Sequence, residues 1–359
     1  MPRTLGQTTT LPCAVACEFL HRGCAFPAIF VFDLFQACLA SCQHKDLSVA
    51  LYANQSTQFT CRARWWACPT GDPNAGKSPT CSAISNLFSA LVSQHRPLFH
   101  PVDHFVGVGN NGKIQERLRR LEGALLLWGP EAKPILDPNF PNRETVDIGK
   151  YLDLTRWLEC ANGGKFEWGT GAEEKQVLKA DGDPYVALVF PSTNVNLCLY
   201  QQFNLFKNWW VKVEHKHQCG FAARVLMTPT TRAIVDIDTG LLDARLMDSF
   251  FQKVWLETVT RWGPQVRPAS LLSTSASAQR AVRKFYDELH ELTEAGSWGS
   301  AGFASLGKME YHVPSAALLC SFQDWALSGN RHTVLPDNAV KCGIRHFDLR
   351  VVHGCNINT

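Results

Sequence analysis

Apolar residues recur at helical spacing in two stretches near the start of the chain. One set has the i, i+3, i+4, i+7, i+8 pattern of a single helix face, and it consists of Ile84, Leu87, Phe88, Leu91 and Val92. An earlier set has a similar pattern and consists of Ala28, Val31, Phe32, Phe35 and Leu39. Such stripes are typical of helices that pack one face against a core. We therefore predict a helix at each of the two stretches.

Four short apolar runs have the length and composition of buried strands. They are residues 63–68, which we expect to end at Pro69, and residues 124–128, 185–190 and 221–227. Continuous apolar runs of this length are typical of strands that are covered on both faces of a sheet. Strands of this type combined with amphipathic helices predict an α/β fold.

The pattern becomes helical from Asp238 onward. Two stripes mark core-facing helix faces, Leu242, Leu246, Phe250 and Val254 in the first, and Val282, Phe285, Leu289 and Leu292 in the second. Ser277 is the expected N-cap of the second helix, and residues 316–327 and 338–352 also have helical patterns. We predict a helical lead-in at residues 1–55, a core at 56–237 with an insertion at about 137–183, and a helical C-terminal region at 238–359.

One motif in the predicted core carries a specific chemistry. Residues 71–78 read Gly-Asp-Pro-Asn-Ala-Gly-Lys-Ser and satisfy the P-loop pattern GxxxxGK[ST]. Glycines allow the backbone N–H groups to wrap around phosphate oxygens, the lysine reaches the β- and γ-phosphates, and the serine hydroxyl binds Mg²⁺. Pro79 follows in the first helical turn, where no N–H is needed. The predicted nucleotide-binding residues are Gly71, Asn74, Ala75, Gly76, Lys77, Ser78 and Pro79.

Three further residues are candidates for the same chemistry. Glu131 follows the strand at 124–128 and is suited to holding Mg²⁺ and orienting water, although Pro130 stands where a preceding aspartate is usual. Thr193, just after the run at 185–190, is either a sensor of the γ-phosphate or part of a turn. Arg224, a lone charge in an apolar run, is either an arginine finger toward its own or a neighbouring subunit, or a partner in a structural salt bridge.

Composition and charge add little to this picture. The chain has 359 residues, 45% hydrophobic and 19% charged, as expected for a globular protein, and its formal net charge of +3 is too small to indicate a nucleic-acid partner. Basic and aromatic residues interleave at 207–216, a mixture that stacks bases or simply forms a packed surface. No apolar stretch is long enough for a membrane span.

Fourteen cysteines are spread through apolar runs without a recognisable signal peptide, which favours reduced thiols in an intracellular protein. Cys13, Cys17 and Cys24, with His21 between them, have helical spacing, as do Cys38 and Cys42. This spacing differs from the tight pairs of structural zinc sites. We therefore expect core cysteines and regard a zinc site as the alternative.

The ordered set of segments 71–79, 125–131, 186–193 and 220–227 resembles an uncharacterised P-loop family found beside primase domains in phages and mobile elements. The Gly-Lys-Ser-Pro form of the loop is similar to that of the family, as are Gly220 to Leu226 and Lys308. The resemblance implies a RecA-type core, ATP and Mg²⁺ as ligands, a helicase-like ATPase activity, coupling to single-stranded nucleic acid, and a homo-oligomer. Lys77, Glu131 and Arg224 would be catalytic, and Ser78 and Glu131 would hold the metal.

Two other functions compete with this one. A nucleotide-binding interaction protein with little turnover is favoured by Pro130, because the family has an aspartate at that position. A small-molecule kinase would need an arginine-rich lid, and residues 137–183 are not notably rich in arginine.

Overall fold

A computed structural model shows a mixed α/β protein built on a parallel sheet. It describes residues 13, 17, 27–53, 58–99, 106–107, 124–129, 166–168, 188–190, 192–205, 224–230, 244–266, 273–294, 308–329 and 334–345. The predicted α/β class is thereby confirmed. Residues 207–216, Cys24, His21, Pro130 and Glu131, and most of the insertion at 137–183, lie outside the described residues.

Among the described residues, the main sheet has six strands, which are β3 (Trp66–Gly71), β4 (Val106–Gly107), β5 (Ala124–Gly129), β8 (Asn194–Leu199), β9 (Gln201–Gln202) and β10 (Leu226–Thr230). Their order is β10-β3-β8-β5-β4, with β9 paired to β3 beside β8, and all of the pairings are parallel. The remaining strands form small separate sheets: β1 (Val49–Ala53) with β2 (Gln58–Cys61), β6 (Phe166–Trp168) with β7 (Leu188–Phe190), and β11 (Ser273–Thr274) with β12 (Val334–Leu335).

Strand β3 continues past the residue at which the sequence pattern predicts its end. Pro69 lies inside the strand, which runs on to Gly71. On one side of β3, Trp66 and Ala67 pair with β8, whereas Thr70 and Gly71 pair with β9. The strand that neighbours β3 on this side therefore changes around Pro69. Proline cannot donate to a sheet ladder, and this interruption is a position where it is tolerated.

Two of the predicted strands are misplaced. The described part of the run at 185–190 is β7, which pairs antiparallel with β6 outside the main sheet, and the core strand is the following segment, β8. The strand predicted at 221–227 begins instead at Leu226 and continues to Thr230. In β8 the buried polar side chains of Asn194 and Asn196 break the apolar pattern, so the sequence pattern favours the wrong segment.

Helix α1 (Ala28–Ser41) packs against β3, β5 and β8 and against helix α2 (Lys77–Gln94), which is followed by the short helix α3 (Arg96–Phe99). The predicted helix at 84–92 is confirmed, with Ile84, Phe88 and Leu91 buried. Helix α1 is buried on all sides from Phe30 to Ser41 rather than along one stripe, because the sheet and three other helices pack against it.

The C-terminal region contributes helices α4 (Ala244–Trp262), α5 (Ala276–Glu294) and α6 (Met309–Ser328), and residues 337–345 are also helical. Helix α4 packs against α6, α1 and α2, where Trp255 contacts Phe88 and Phe251. Two expectations need correction: the region also contains β11 and β12, and Ser275 rather than Ser277 caps α5, since its hydroxyl accepts the Ala278 N–H at 3.2 Å.

The cysteines at 13, 17, 38 and 42 lie buried in the hydrophobic core, as expected for small apolar residues. Burial raises the pKa of the Cys38 and Cys42 thiols, so both stay protonated at neutral pH. Within the described part of the chain, no cluster of three or more His, Cys, Asp or Glu side chains is arranged to hold a metal ion. None of the helices described is both long and apolar enough to cross a membrane.

A buried carboxylate joins α1 to the start of β3 and to β10. Asp33 is fully buried on α1, where it accepts hydrogen bonds from the Trp65 indole N–H at 3.2 Å and the Thr228 hydroxyl at 3.3 Å. Trp65 directly precedes β3, and Thr228 lies in β10. Because buried charged and polar groups are costly without partners, these bonds fix the helix relative to the sheet.

Replacing Thr228 by Val keeps the shape of the side chain and removes one donor to Asp33. We expect the free energy of unfolding to fall by about 1–3 kcal/mol, because a buried acceptor loses a partner. Urea denaturation measures the change. The control is Thr260→Val, since the exposed Thr260 hydroxyl donates only to the Leu256 carbonyl of its own helix. Equal, small effects of both substitutions would contradict a stabilising role for the Asp33 contact.

Candidate functional site

The P-loop lies where β3 ends and α2 begins. Gly71 is the last residue of the strand, and Lys77 is the first residue of the helix. Since the sheet is parallel, this junction is at its carboxyl edge, the usual location of ligand sites in open α/β sheets. The strand, loop and helix expected around the motif are all present.

Two residues of the loop have left-handed backbone conformations. Asn74 has φ 68° and Gly76 has φ 77°. Asparagine and glycine are the residues that adopt this conformation most readily. The Ala75 N–H donates to the Asp72 carbonyl at 3.1 Å and closes a tight turn between them. The sequence therefore has residues that tolerate the left-handed conformation at the positions where the loop reverses direction.

The start of α2 has the properties of an anion site. Gly76 is the N-cap and supplies no side-chain hydrogen bond, and the first turn contains no acidic residue. Pro79, as expected, lies in this turn, and the Thr80 N–H and hydroxyl both bond to the Gly76 carbonyl. The helix therefore presents the positive end of its dipole and its first N–H groups without a capping side chain.

Lys77 lies back across the loop. Its Nζ donates to the carbonyl oxygens of Gly71 at 2.9 Å and Asp72 at 2.6 Å. Partial burial lowers the pKa of Lys77, and the nearby Asp72 carboxylate offsets part of this effect. Loop carbonyls thus hold the ammonium group beside the start of the helix.

Of the two predicted metal ligands, Ser78 is among the described residues and Glu131 is not. Ser78 is an exposed residue of the first turn of α2, next to Lys77. Glu131 lies outside the described residues, but β5, which leads to it, ends at Gly129 opposite Leu199 of β8. The chain therefore leaves β5 at the same edge of the sheet as the P-loop.

Three polar residues beside the loop were not singled out from the sequence. Gln201 and Gln202 pair with Thr70 and Gly71, so they flank the P-loop at the carboxyl edge. Thr70 is buried, and its hydroxyl has no hydrogen-bond partner among the described residues. The signal that could have found the glutamines is the abrupt change from the apolar run at 197–200 to two amides.

Thr193 and Arg224 lie at the opposite end of the sheet. Thr193 directly precedes β8, and its carbonyl accepts a hydrogen bond from Nη2 of Arg64 at 3.0 Å. Arg224 precedes β10, which runs parallel to β3 and pairs Thr230, not Leu226, with Gly71. The structure therefore brings neither residue to the P-loop of its own chain, because both stand at the amino ends of strands whose carboxyl ends reach the loop.

No family model and no curated protein matches the chain. Among solved structures, it is similar to a full-length MCM homolog from Methanopyrus kandleri, with 11% sequence identity and a TM-score of 0.44. The match covers 94% of this chain and 59% of that protein, so the chain spans less than two thirds of its length. Similarity at this level carries no argument about function.

Gly76→Ala tests the left-handed conformation of the loop. We expect the free energy of unfolding to fall by about 1–2 kcal/mol, the cost of a Cβ in this conformation. Gly329→Ala is a matched control, because Gly329 has φ 71° and a Cβ there would meet nothing within 4 Å. Chemical denaturation of both variants should give similar losses. A neutral Gly76→Ala would contradict the backbone conformation described for the loop.

Proposed function

We propose that the chain binds a nucleoside triphosphate through residues 71–78. The observation that carries this proposal is the uncapped start of α2, preceded by left-handed Gly76 and accompanied by Lys77. Backbone N–H groups, the positive end of a helix dipole and an ammonium group all belong to this one loop at the carboxyl edge of the sheet. Phosphate oxygens interact favourably with all three groups. A surface turn without a ligand has no need of this combination.

The proposed reaction is Mg²⁺-dependent hydrolysis of ATP. Bound Mg²⁺ would neutralise charge on the transferring phosphoryl group. Ser78 would hold the metal with Glu131, Lys77 and the loop N–H groups would stabilise the phosphate charge, and Glu131 would orient water. Gln201 and Gln202, beside Gly71, are additional candidates for contacts with the γ-phosphate or water.

A RecA-type arrangement of the core is consistent with the order of the strands. Strand β8 lies between the P-loop strand β3 and strand β5, which leads to Glu131. In such an arrangement the residues that follow the intervening strand face the nucleotide, and here these are Gln201 and Gln202. This feature supports the finer fold assignment, together with the motif.

Helicase-like coupling to single-stranded nucleic acid is the further part of the proposal, and its support is the sequence resemblance. An arginine finger at Arg224 would have to act on a neighbouring copy, because the residue stands at the edge opposite its own P-loop. That role therefore requires a homo-oligomer.

The second candidate is a nucleotide-binding protein with little turnover. Pro130 favours it, since a proline has no carboxylate to help hold Mg²⁺. The two candidates share the binding site and differ in phosphate release.

Lys77→Ala tests binding. We expect the affinity for a fluorescent ATP analogue to fall about 10- to 100-fold, because a charge-assisted hydrogen bond worth about 1.5–3 kcal/mol is lost. Gly76→Ala should also weaken binding. Lys284→Ala, which removes an exposed lysine on α5, and Gly329→Ala should leave the affinity unchanged. Unaltered binding by Lys77→Ala would refute the proposed site.

Glu131→Gln tests hydrolysis. Loss of a water-orienting carboxylate should lower phosphate release at least about tenfold while ATP binding persists. The assay compares wild type and variant with and without single-stranded DNA or RNA. Stimulation of the wild type by either polymer supports a motor. Equal and negligible release by both proteins, with tight ATP binding, selects the binding protein.

A further inference from the structure

A cleft of about 170 Å³ lies at the amino end of the sheet, away from the P-loop. Its wall includes the end of β2, the segment that leads into β3, Arg224 shortly before β10, and the first turn of α6. Four of the lining side chains are cationic, and they are Arg62, Arg64, Arg224 and Lys308. Segments far apart in the sequence thus place four cationic side chains around one small cleft.

The surroundings of the cleft disfavour the charged forms of Arg62 and Lys308. Burial lowers the pKa of Arg62. Burial also lowers the pKa of Lys308, and the charge of Arg224 lowers it further. Keeping like charges close together in a partly buried place is unfavourable, and a bound anion would relieve the cost.

Two carboxylates close to the cleft act on its cations. Asp46 acts on Arg62, and Glu310 acts on Lys308. Neither carboxylate lines the cleft, and no other aspartate or glutamate among the described residues does so. Among the described residues, the side chains that line the cleft thus include four cations and no carboxylate.

The walls of the cleft are tied together by hydrogen bonds between β2–β3 and α6. The Ser315 hydroxyl accepts the Arg64 N–H and donates to the Arg64 carbonyl, both at 2.6 Å. The Cys61 thiol donates to the Tyr311 carbonyl at 3.5 Å. These contacts hold the cationic segments in place, so the cleft is present before a ligand arrives.

The size and chemistry of the cleft indicate the kind of ligand that it binds. Its volume suits one phosphate-sized group rather than a folded partner. Guanidinium groups bind phosphate oxygens through paired N–H donors, and lysine adds a point charge. Tyr311, 40% exposed, stands beside Lys308, whose Nζ is 5.6 Å from the ring centre, so a flat aromatic surface adjoins the cations.

We propose that this cleft is a phosphate-binding site separate from the P-loop. Two sources share that chemistry, a free oligophosphate and the backbone of a single-stranded nucleic acid. The proposal does not depend on nucleotide binding at residues 71–78.

Arginine modification by phenylglyoxal, read by peptide mass spectrometry, tests the proposal in the unaltered protein. Inorganic pyrophosphate and a short oligo(dT) are the two probes. We expect at least one of them to protect Arg62, Arg64 and Arg224, with no protection of Arg283, an exposed arginine on α5. Protection by pyrophosphate alone identifies a free oligophosphate, and protection by oligo(dT) identifies strand phosphates.

The same measurement on Lys77→Ala separates the two sites. Protection should persist in this variant, because the cleft and the P-loop lie at opposite edges of the sheet. The double variant Arg224→Gln, Lys308→Gln should weaken binding of the protecting probe at least about tenfold, whereas Lys284→Gln should not. Absence of protection by both probes in wild type, or its loss in Lys77→Ala, would overturn the proposal.

Discussion

The rest of the structure depends on how α1 is held against the sheet. Asp33 on this helix accepts hydrogen bonds from Trp65 and Thr228, which belong to the start of β3 and to β10. Asn194, at the start of β8, donates to the carbonyls of Ala40 and Gln43 at the other end of the helix. A buried polar group must keep its partners, so these bonds fix the positions of three neighbouring strands.

This arrangement gives the sheet two different edges. At the carboxyl edge, the loop after β3 presents glycines, N–H groups and Lys77, beside Gln201 and Gln202. At the amino edge, arginines and Lys308 surround a small cleft. Both edges carry positive charge, but one is built mainly from backbone groups and the other from side chains. Their separation follows from the parallel direction of the strands.

Sequence patterns predicted the elements whose residues are apolar in the expected period. The stripe from Ile84 to Val92 identified α2, and the run at 124–128 identified β5. The patterns failed for β8, because Asn194 and Asn196 are polar yet buried, with their amides satisfied by tertiary contacts such as the bond from the Trp65 N–H to Asn196 Oδ1 at 2.9 Å. The P-loop was evident from spacing alone, since its chemistry is local. Gln201 and Gln202 were missed because their importance comes from pairing with β3.

By itself, the sequence determined the α/β class, the helices with apolar stripes and the loop at residues 71–78. These features depend on local spacing and backbone preference, which a chain carries in its order of residues. Tertiary structure alone decided which side chains share an edge of the sheet. It placed Thr193 and Arg224 away from the P-loop, and it gathered Arg62, Arg64, Arg224 and Lys308 into one cleft. Residues so distant in the chain meet only through strand order and register, which long-range pairing sets.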